Sequence, residues 1–290
     1  MKNCKTLFQE VVAGIKLEES PEETNSLAYF LLTSVFGITK TDILAGIMVP
    51  FPDSISQGLQ KSLQRINRGE PVQYVVGEEY FYGRKFYVNP SVLIPRPETE
   101  GLIRVILSYQ TLLAGKKDNR ERLRILDIGT GSGCVAVTLF HELPGAEIYA
   151  TDISNAALSV ALNNAEVHKA DITFFEHNIL TENIPLTDLD IIVSNPPYVT
   201  QKERGQMKPN VLDHEPHQAL FVPAEDPLVF HNVIARQAKV SLKTNGLLAM
   251  EINESFGDEV SEHFIEQGLK EVAIVQDIAG KDRIIMGVKG

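Results

Sequence analysis

The sequence predicts an α/β protein, a mostly parallel, doubly wound sheet of seven strands, preceded by a small helical bundle and a β-hairpin. Three observations carry this prediction. From Arg124 onward, short apolar runs alternate with stretches of helical spacing, which is the order a parallel sheet covered by helices requires. Five such runs lie at Leu123–Ile128, Glu147–Ala150, Ile172–Phe175, Ile191–Val193 and Leu247–Ile252, and two more follow before the chain ends. Before residue 70 the apolar residues instead recur three and four positions apart. A chain of 290 residues, 43% hydrophobic and 22% charged, is long enough for one large and one small domain.

In chain order, Leu7, Phe8, Val11, Val12 and Ile15 follow helical spacing. Ser20 caps a second helix, with Pro21 in its first turn and an apolar run from Leu27 to Phe36. A short segment around Asp42–Ile47 and a longer one from Asp53 to Ile66, closed by Gly69, complete a bundle assigned to residues 1–72. It carries no catalytic pattern, so packing and partner recognition both fit it. Residues 73–97 read as a linker, in which Tyr80–Tyr82 and Phe86–Val88 flank Gly83-Arg84 as in a β-hairpin. Ile94-Pro95-Arg96-Pro97 is too proline-rich for a helix or a central strand. The third region, residues 98–290, opens on a helix through Leu102, Ile103, Ile106 and Leu107, whose first-turn acids suit the helix dipole without any further role. Ser154 caps a helix to about Val167, and Pro227–Leu242 and Ser255–Gln267 read as two more. Residues 201–226, rich in Glu, His and Pro, predict a long loop over the site.

A net charge of −11 speaks against unaided binding to a phosphate backbone, which needs clustered Lys and Arg. Residues 1–76 hold seven Lys/Arg against eight Asp/Glu, so the acidity lies in the remainder. There is no 18-residue apolar run, and the amphipathic N-terminus is unlike a signal peptide, so the expected location is cytoplasmic, without membrane attachment. Cys4 and Cys134 do not suggest a bridge, and a reducing compartment fits. Cys134, near a helix start, suits a small buried slot better than a reactive thiol. His214-Glu215-Pro216-His217 lacks the helical His-Glu-x-x-His arrangement, because Pro216 forbids that helix, and no metal is expected.

Two stretches carry chemistry. The run Leu123–Ile128 ends in Gly129-Thr130-Gly131-Ser132-Gly133 and is followed by helical spacing, an arrangement that lets backbone approach a cofactor closely. A dinucleotide fingerprint wants its third glycine at position 134, where Cys134 stands, so the turn does not suit a pyrophosphate. Asp152 lies about 20 residues downstream, where an acid meets a ribose hydroxyl, and so marks a nucleoside ligand. The second stretch, Ile191–Ser194 followed by Asn195-Pro196-Pro197-Tyr198, is a buried strand that delivers a rigid loop. The prolines fix its shape and leave carbonyls free to accept, Asn195 adds an amide oxygen, and Tyr198 offers a flat face. Together they suit a planar substrate that bears an NH2 group.

This constellation resembles the S-adenosylmethionine-dependent methyltransferases. Further segments narrow it: Arg68–Tyr74, Val92–Glu100, Glu215-Pro216 with Ala219-Leu220, and Asp277–Gly280 with Asp282-Arg283. With these, residues 68–290 resemble the PrmC/HemK family of release-factor glutamine methyltransferases, whose Ile-Pro-Arg-Pro-Glu-Thr-Glu run is the most specific part. The resemblance implies a Rossmann-like methyltransferase sheet and transfer of a methyl group from S-adenosyl-L-methionine, leaving S-adenosyl-L-homocysteine. The acceptor it implies is the glutamine of the Gly-Gly-Gln loop of peptide chain release factors. It also implies catalytic and substrate-holding roles for Asn195, Pro196, Pro197 and Tyr198. Cofactor contacts would come from Gly129, Thr130, Gly131, Ser132, Gly133, Asp152, Asn178, Ile179 and Asn195, with Glu100 near the methionine end. At His177-Asn178-Ile179 the family more usually has an acid followed by a large apolar residue. Glu251-Ile252-Asn253 through Phe256 departs from the usual glycine and glutamine, so no role is assigned to that turn. The resemblance favours substrate recognition by the helical bundle, with the protein acting as a monomer. A nucleic-acid amino-methyltransferase is the alternative, disfavoured by the lack of a Lys/Arg-rich stretch. A non-catalytic cofactor-binding adaptor is disfavoured by the intact Asn-Pro-Pro-Tyr loop.

Overall fold

The computed structural model describes residues 1–114 and 122–290. The chain separates into two compact units, one of Met1–Glu78, Val88–Pro90 and Met207–Glu215, the other of Glu79–Tyr87, Ser91–Gln206 and Pro216–Gly290.

In the first unit, β1 (Lys2–Asn3), α1 (Cys4–Gly14), α2 (Pro21–Phe36), α3 (Lys40–Ala45), β2 (Met48–Val49), α4 (Asp53–Ile66) and α5 (Val72–Val76) follow one another. Caps decide where these helices begin and end. Asn3 accepts from the amides of Lys5 and Thr6, and Ser20 from that of Glu23, with Pro21 in the first turn and Gly37 in the left-handed region at the close. Thr39 and Asp42 form a reciprocal capping box ahead of α3. Leu7, Val11, Leu31, Leu32, Ile43 and Ile66 then meet in one buried core. Where the sequence suggested only a hairpin, the chain first makes the helical turn α5, because Val72, Val75 and Val76 pack into this core. The hairpin is confined to β3 (Glu78–Phe81) and β4 (Arg84–Tyr87).

The second unit holds α6 (Glu100–Ala114), β5 (Arg124–Ile128), α7 (Cys134–Glu142), β6 (Glu147–Asp152), α8 (Asn155–Val167), β7 (Ile172–Glu176) and β8 (Leu189–Ser194). After α9 (Pro209–His214), which belongs to the first unit, come α10 (Val229–Ser241), β9 (Leu242–Glu251), α11 (Gly257–Glu266), β10 (Leu269–Gln276) and β11 (Asp282–Lys289). The expected seven-stranded sheet has the order β10-β11-β9-β8-β5-β6-β7. Strands β7, β6, β5, β8 and β9 run parallel, and β11 runs antiparallel to both its neighbours. All six residues of β8 are buried. Its alternate side chains enter two different cores, Ile191 and Val193 with Ile125 on one face and Ile192 with Leu126 on the other. A strand covered on both faces needs apolar side chains on both, which is why Ile191–Val193 reads as an unbroken run, while the buried Asp190 and Ser194 that flank it are met by Lys243 and by the Ile128 carbonyl.

The stretch 201–226, expected to be a loop, contains α9, whose Pro209 sits in the first turn where a missing N–H costs nothing. Among the described residues no helix is long and apolar enough to cross a membrane. Where α7 leaves the glycine turn, Gly133 has φ +79°, and a Cβ there would stand 3.1 Å from Ala161 Cβ and 3.2 Å from Ala161 Cα in α8. Gly133→Ala is therefore expected to destabilise the protein by about 1–3 kcal/mol, through backbone strain and helix displacement. Denaturant unfolding measures this, and a wild-type midpoint would contradict the packing role.

Candidate active site

Strand order reverses between β5 and β8, and the crevice at such a switch point, beyond the carboxyl ends of the strands, is where open α/β sheets bind ligands. A cavity of about 410 Å³ lies there. Its walls bring together most of the residues singled out in the sequence: Gly129 to Ser132, Asp152, Asn178 and Ile179, and Asn195 to Pro197. Gly133, Glu100 and Tyr198 stand outside its lining.

The glycine turn divides its labour. Gly129 and Gly131 have φ of +72° and +54°, and a Cβ at either would meet nothing within 4 Å, so the cradle opens onto free space. Gly133 serves helix packing, as above. The Thr130 hydroxyl donates to Asp127 Oδ2 at 2.7 Å and so braces the turn. Burial pushes Asp127 up to about 7, against the Thr130 and Ala136 donors, and the charge of Asp152 adds to the rise. The Ser132 carbonyl accepts from Asn164 Nδ2 at 2.8 Å. Burial also pushes the Cys134 thiol up to about 12, so it is an inert group filling a slot.

Asp152 ends β6 with its carboxylate held by backbone. Oδ2 accepts from the Gly131 amide and Oδ1 from the Ser154 amide, each at 2.9 Å. Burial raises its pKa, opposed by the amides of Ser154, Gly131 and Ile153. Each carboxylate oxygen keeps a further lone pair, which matches two vicinal hydroxyls. Room beside left-handed glycines, an anchored carboxylate and the apolar Ile179 fit a nucleoside-bearing cofactor. Asn178 reaches the cavity, but its side-chain oxygen accepts from the Leu180 amide at 3.1 Å. The Glu100 carboxylate is engaged elsewhere, accepting from the Tyr82 amide at 2.8 Å and pairing with Arg104 at 3.4 Å, one turn along α6.

At the end of β8 the Ser194 hydroxyl donates to the Ile128 carbonyl at 2.7 Å, tying the two central strands at their carboxyl ends. Asn195 follows at once. Its Nδ2 donates to Thr99 Oγ1 at 3.2 Å. Among the described residues, its Oδ1 has no hydrogen-bond partner. Thr99 in turn donates to Glu251 Oε2, and the Tyr198 hydroxyl donates to Glu251 Oε1, both at 2.7 Å. Burial raises the Glu251 carboxyl, while Tyr198, Thr99 and the charge of Arg283 oppose the rise. Burial and the nearby Glu251 charge push the Tyr198 phenol well above its ordinary value. Sequence reasoning missed Thr99 and Glu251. The available signal was a lone acid closing the apolar run Leu247–Met250 at the carboxyl end of a central strand, where an unpaired charge is costly.

The comparisons with known proteins agree with this geometry. Residues 12–77 match the PrmC N-terminal domain and residues 110–220 the methyltransferase small domain. The chain is 39% identical over 285 residues to a release factor glutamine methyltransferase of Flavobacterium psychrophilum, covering 98% of each chain. To the protein of that name from Bacteroides thetaiotaomicron it is 41% identical over 266 residues, 91% of this chain and 92% of the other. Among solved structures, the hMettl16 catalytic domain superposes with a TM-score of 0.54 at 16% identity, over 85% of each chain. A methyltransferase from Pyrococcus furiosus superposes with a TM-score of 0.51 at 17% identity, over 79% of this chain and 98% of that one. At such identities the likeness reports the fold alone.

Proposed function

Because the chain belongs to the release factor glutamine methyltransferase family, we propose that it methylates the side-chain amide nitrogen of the glutamine in the Gly-Gly-Gln loop of peptide chain release factors. S-adenosyl-L-methionine, when bound, supplies an electrophilic methyl group on a sulfonium and leaves as S-adenosyl-L-homocysteine. The observation that carries this reading is that Asn195, with an unoccupied carboxamide oxygen, shares one cavity with the glycine cradle and Asp152.

An amide nitrogen is a poor nucleophile because its lone pair is delocalised into the carbonyl. Asn195 Oδ1 and the Pro196 carbonyl accept from the substrate NH2, which draws electron density onto nitrogen and aims its lone pair at the methyl group. Asn195 and Pro196 would thus hold the nitrogen towards the methyl group that the cofactor would supply, and the proton lost from the methylated nitrogen would pass to solvent. No strong base is needed before transfer. Asp152 holds the ribose end, and Gly129 and Gly131 let the backbone close on the rest. Tyr198 supports the loop from outside the cavity lining, through its hydroxyl on Glu251.

The helical unit serves recognition of the release factor, and the protein works as a monomer in the cytoplasm, where translation ends. Its net charge of −11 supports a protein substrate over a nucleic acid. Replacing the Gly-Gly-Gln glutamine of a release factor by asparagine withdraws the nitrogen by on the order of 1 Å and is expected to cut turnover ~100-fold. Methyl transfer with labelled cofactor, mapped by peptide mass spectrometry, is the measurement. Methylation of nucleic acid in preference to the release factor would overturn the reading.

A further inference from the structure

A carboxamide can face its neighbours in two senses, and only one leaves Asn195 Oδ1 available to a substrate NH2. The hydrogen bonds around it decide which sense is allowed. In its carboxylate form, which the Tyr198 and Thr99 hydroxyls and the charge of Arg283 favour against burial, Glu251 has no proton to give, so both hydroxyls that meet it donate to it, Thr99 to Oε2 and Tyr198 to Oε1. The single Thr99 proton is thereby committed. What Thr99 Oγ1 still offers Asn195 is lone pairs, and these accept only from the NH2 end at 3.2 Å. The reversed carboxamide would set oxygen against oxygen.

The surroundings hold the anchor itself in place. Glu251 and Thr99 are both buried, 1% and 3% exposed, so water does not compete for these bonds. The Glu251 main-chain oxygen accepts from His231 Nε2 at 2.9 Å, which fixes the end of β9 against α10. His231 is itself buried and held near 4 by burial, so its imidazole is neutral and donates from Nε2. One buried carboxylate thus accepts a hydrogen bond from Tyr198 at one end of the Asn195–Tyr198 tetrapeptide and anchors Asn195 at the other through Thr99.

We propose that Thr99 and Glu251 are positioning residues that fix the sense of the Asn195 carboxamide, so that its oxygen faces the substrate nitrogen and its NH2 faces away. This rests on the reading of Asn195 as the acceptor for the substrate amide. Glu251 acts at one remove, touching neither substrate nor cofactor.

The test uses the full-length protein with a release factor as substrate. Thr99→Val keeps the shape and removes the hydroxyl, and is expected to lower kcat by about 10- to 100-fold, the scale of a small misplacement of a catalytic group. The dissociation constant for S-adenosyl-L-methionine and the KM for the release factor should change less than about threefold. Thr99→Ser restores the hydroxyl and should recover most of the rate. If Thr99 acts through Asn195, then Thr99→Val should cost nothing further in an Asn195→Ala background. The proposal fails if Thr99→Val keeps the wild-type kcat or loses cofactor binding. It also fails if Thr99→Ser is as slow as Thr99→Val, or if the valine slows the Asn195→Ala protein by its full factor. An active Asn195→Ala protein would instead sink the underlying reading of Asn195, whereas an active Thr99→Val beside an impaired Asn195→Ala sinks only the positioning role.

Discussion

Asn195→Ala is expected to lower the rate of methyl transfer by ~100- to 1000-fold while leaving cofactor affinity nearly intact, the usual loss when one preorganised polar contact to the transition state is removed. The split follows from geometry. Asn195 offers one oxygen from the end of β8, whereas the proposed cofactor contacts, the glycine turn and Asp152, stand at the ends of β5 and β6. Asp is the more searching replacement, because it keeps an acceptor of the same size. It also adds a negative charge beside a sulfonium whose positive charge disappears during transfer, which stabilises the ground state more than the transition state. In addition, its second oxygen would face Thr99 Oγ1, whose proton already lies on Glu251 Oε2. Asn195→Asp should therefore be slower than wild type even though an acceptor remains. Rates under saturating cofactor, with calorimetric affinities alongside, measure both effects, and full activity of Asn195→Ala would remove it from the chemistry.

Asp152→Ala is expected to weaken S-adenosyl-L-methionine binding by on the order of 100-fold or more. Two charge-assisted hydrogen bonds to ribose hydroxyls vanish, each worth about 1.5–3 kcal/mol, and about 1.4 kcal/mol corresponds to a factor of ten. The same substitution unties the Gly131 and Ser154 amides, so the cradle loosens as well. Asp152→Asn separates the two losses, since its one oxygen can still brace an amide while its NH2 confronts the other. It should fall between wild type and alanine. An unchanged dissociation constant for the alanine variant would take Asp152 out of the site.

The sheet, the glycine turn, the strand-end acid Asp152 and the Asn-Pro-Pro loop were legible in the sequence, because each is written in a few consecutive residues or in a short period. Ser20-Pro21 announced a helix start for the same reason. What escaped is written across distance. Glu251 and Thr99 lie 152 residues apart along the chain, and nothing near either shows that they meet. The direction of Glu100 was equally hidden, because first-turn acids suit a helix whatever they bond, and the Tyr82 amide that captures it sits in the turn of the hairpin, 18 residues away. Gly133 looked like its companions in the turn until the position of Ala161 showed that it answers to a neighbouring helix. The turn α5 and the helix α9 were lost because five and six residues carry too little periodicity to separate a helix from a loop.

The last strand of the sheet is an inner one. Among the described residues, β10 pairs only with β11, and β11 also covers the outer edge of β9, burying Ile284 and Ile285. During synthesis the strands β5 to β9 emerge in an order that lets them assemble, but β10 stays without a partner and β9 keeps an open edge until residues 282–289 have left the ribosome. A nascent chain of this protein therefore keeps two strand edges open after the glycine turn, Asp152 and Asn195 have all been synthesised, and the arrival of β11 closes both at once.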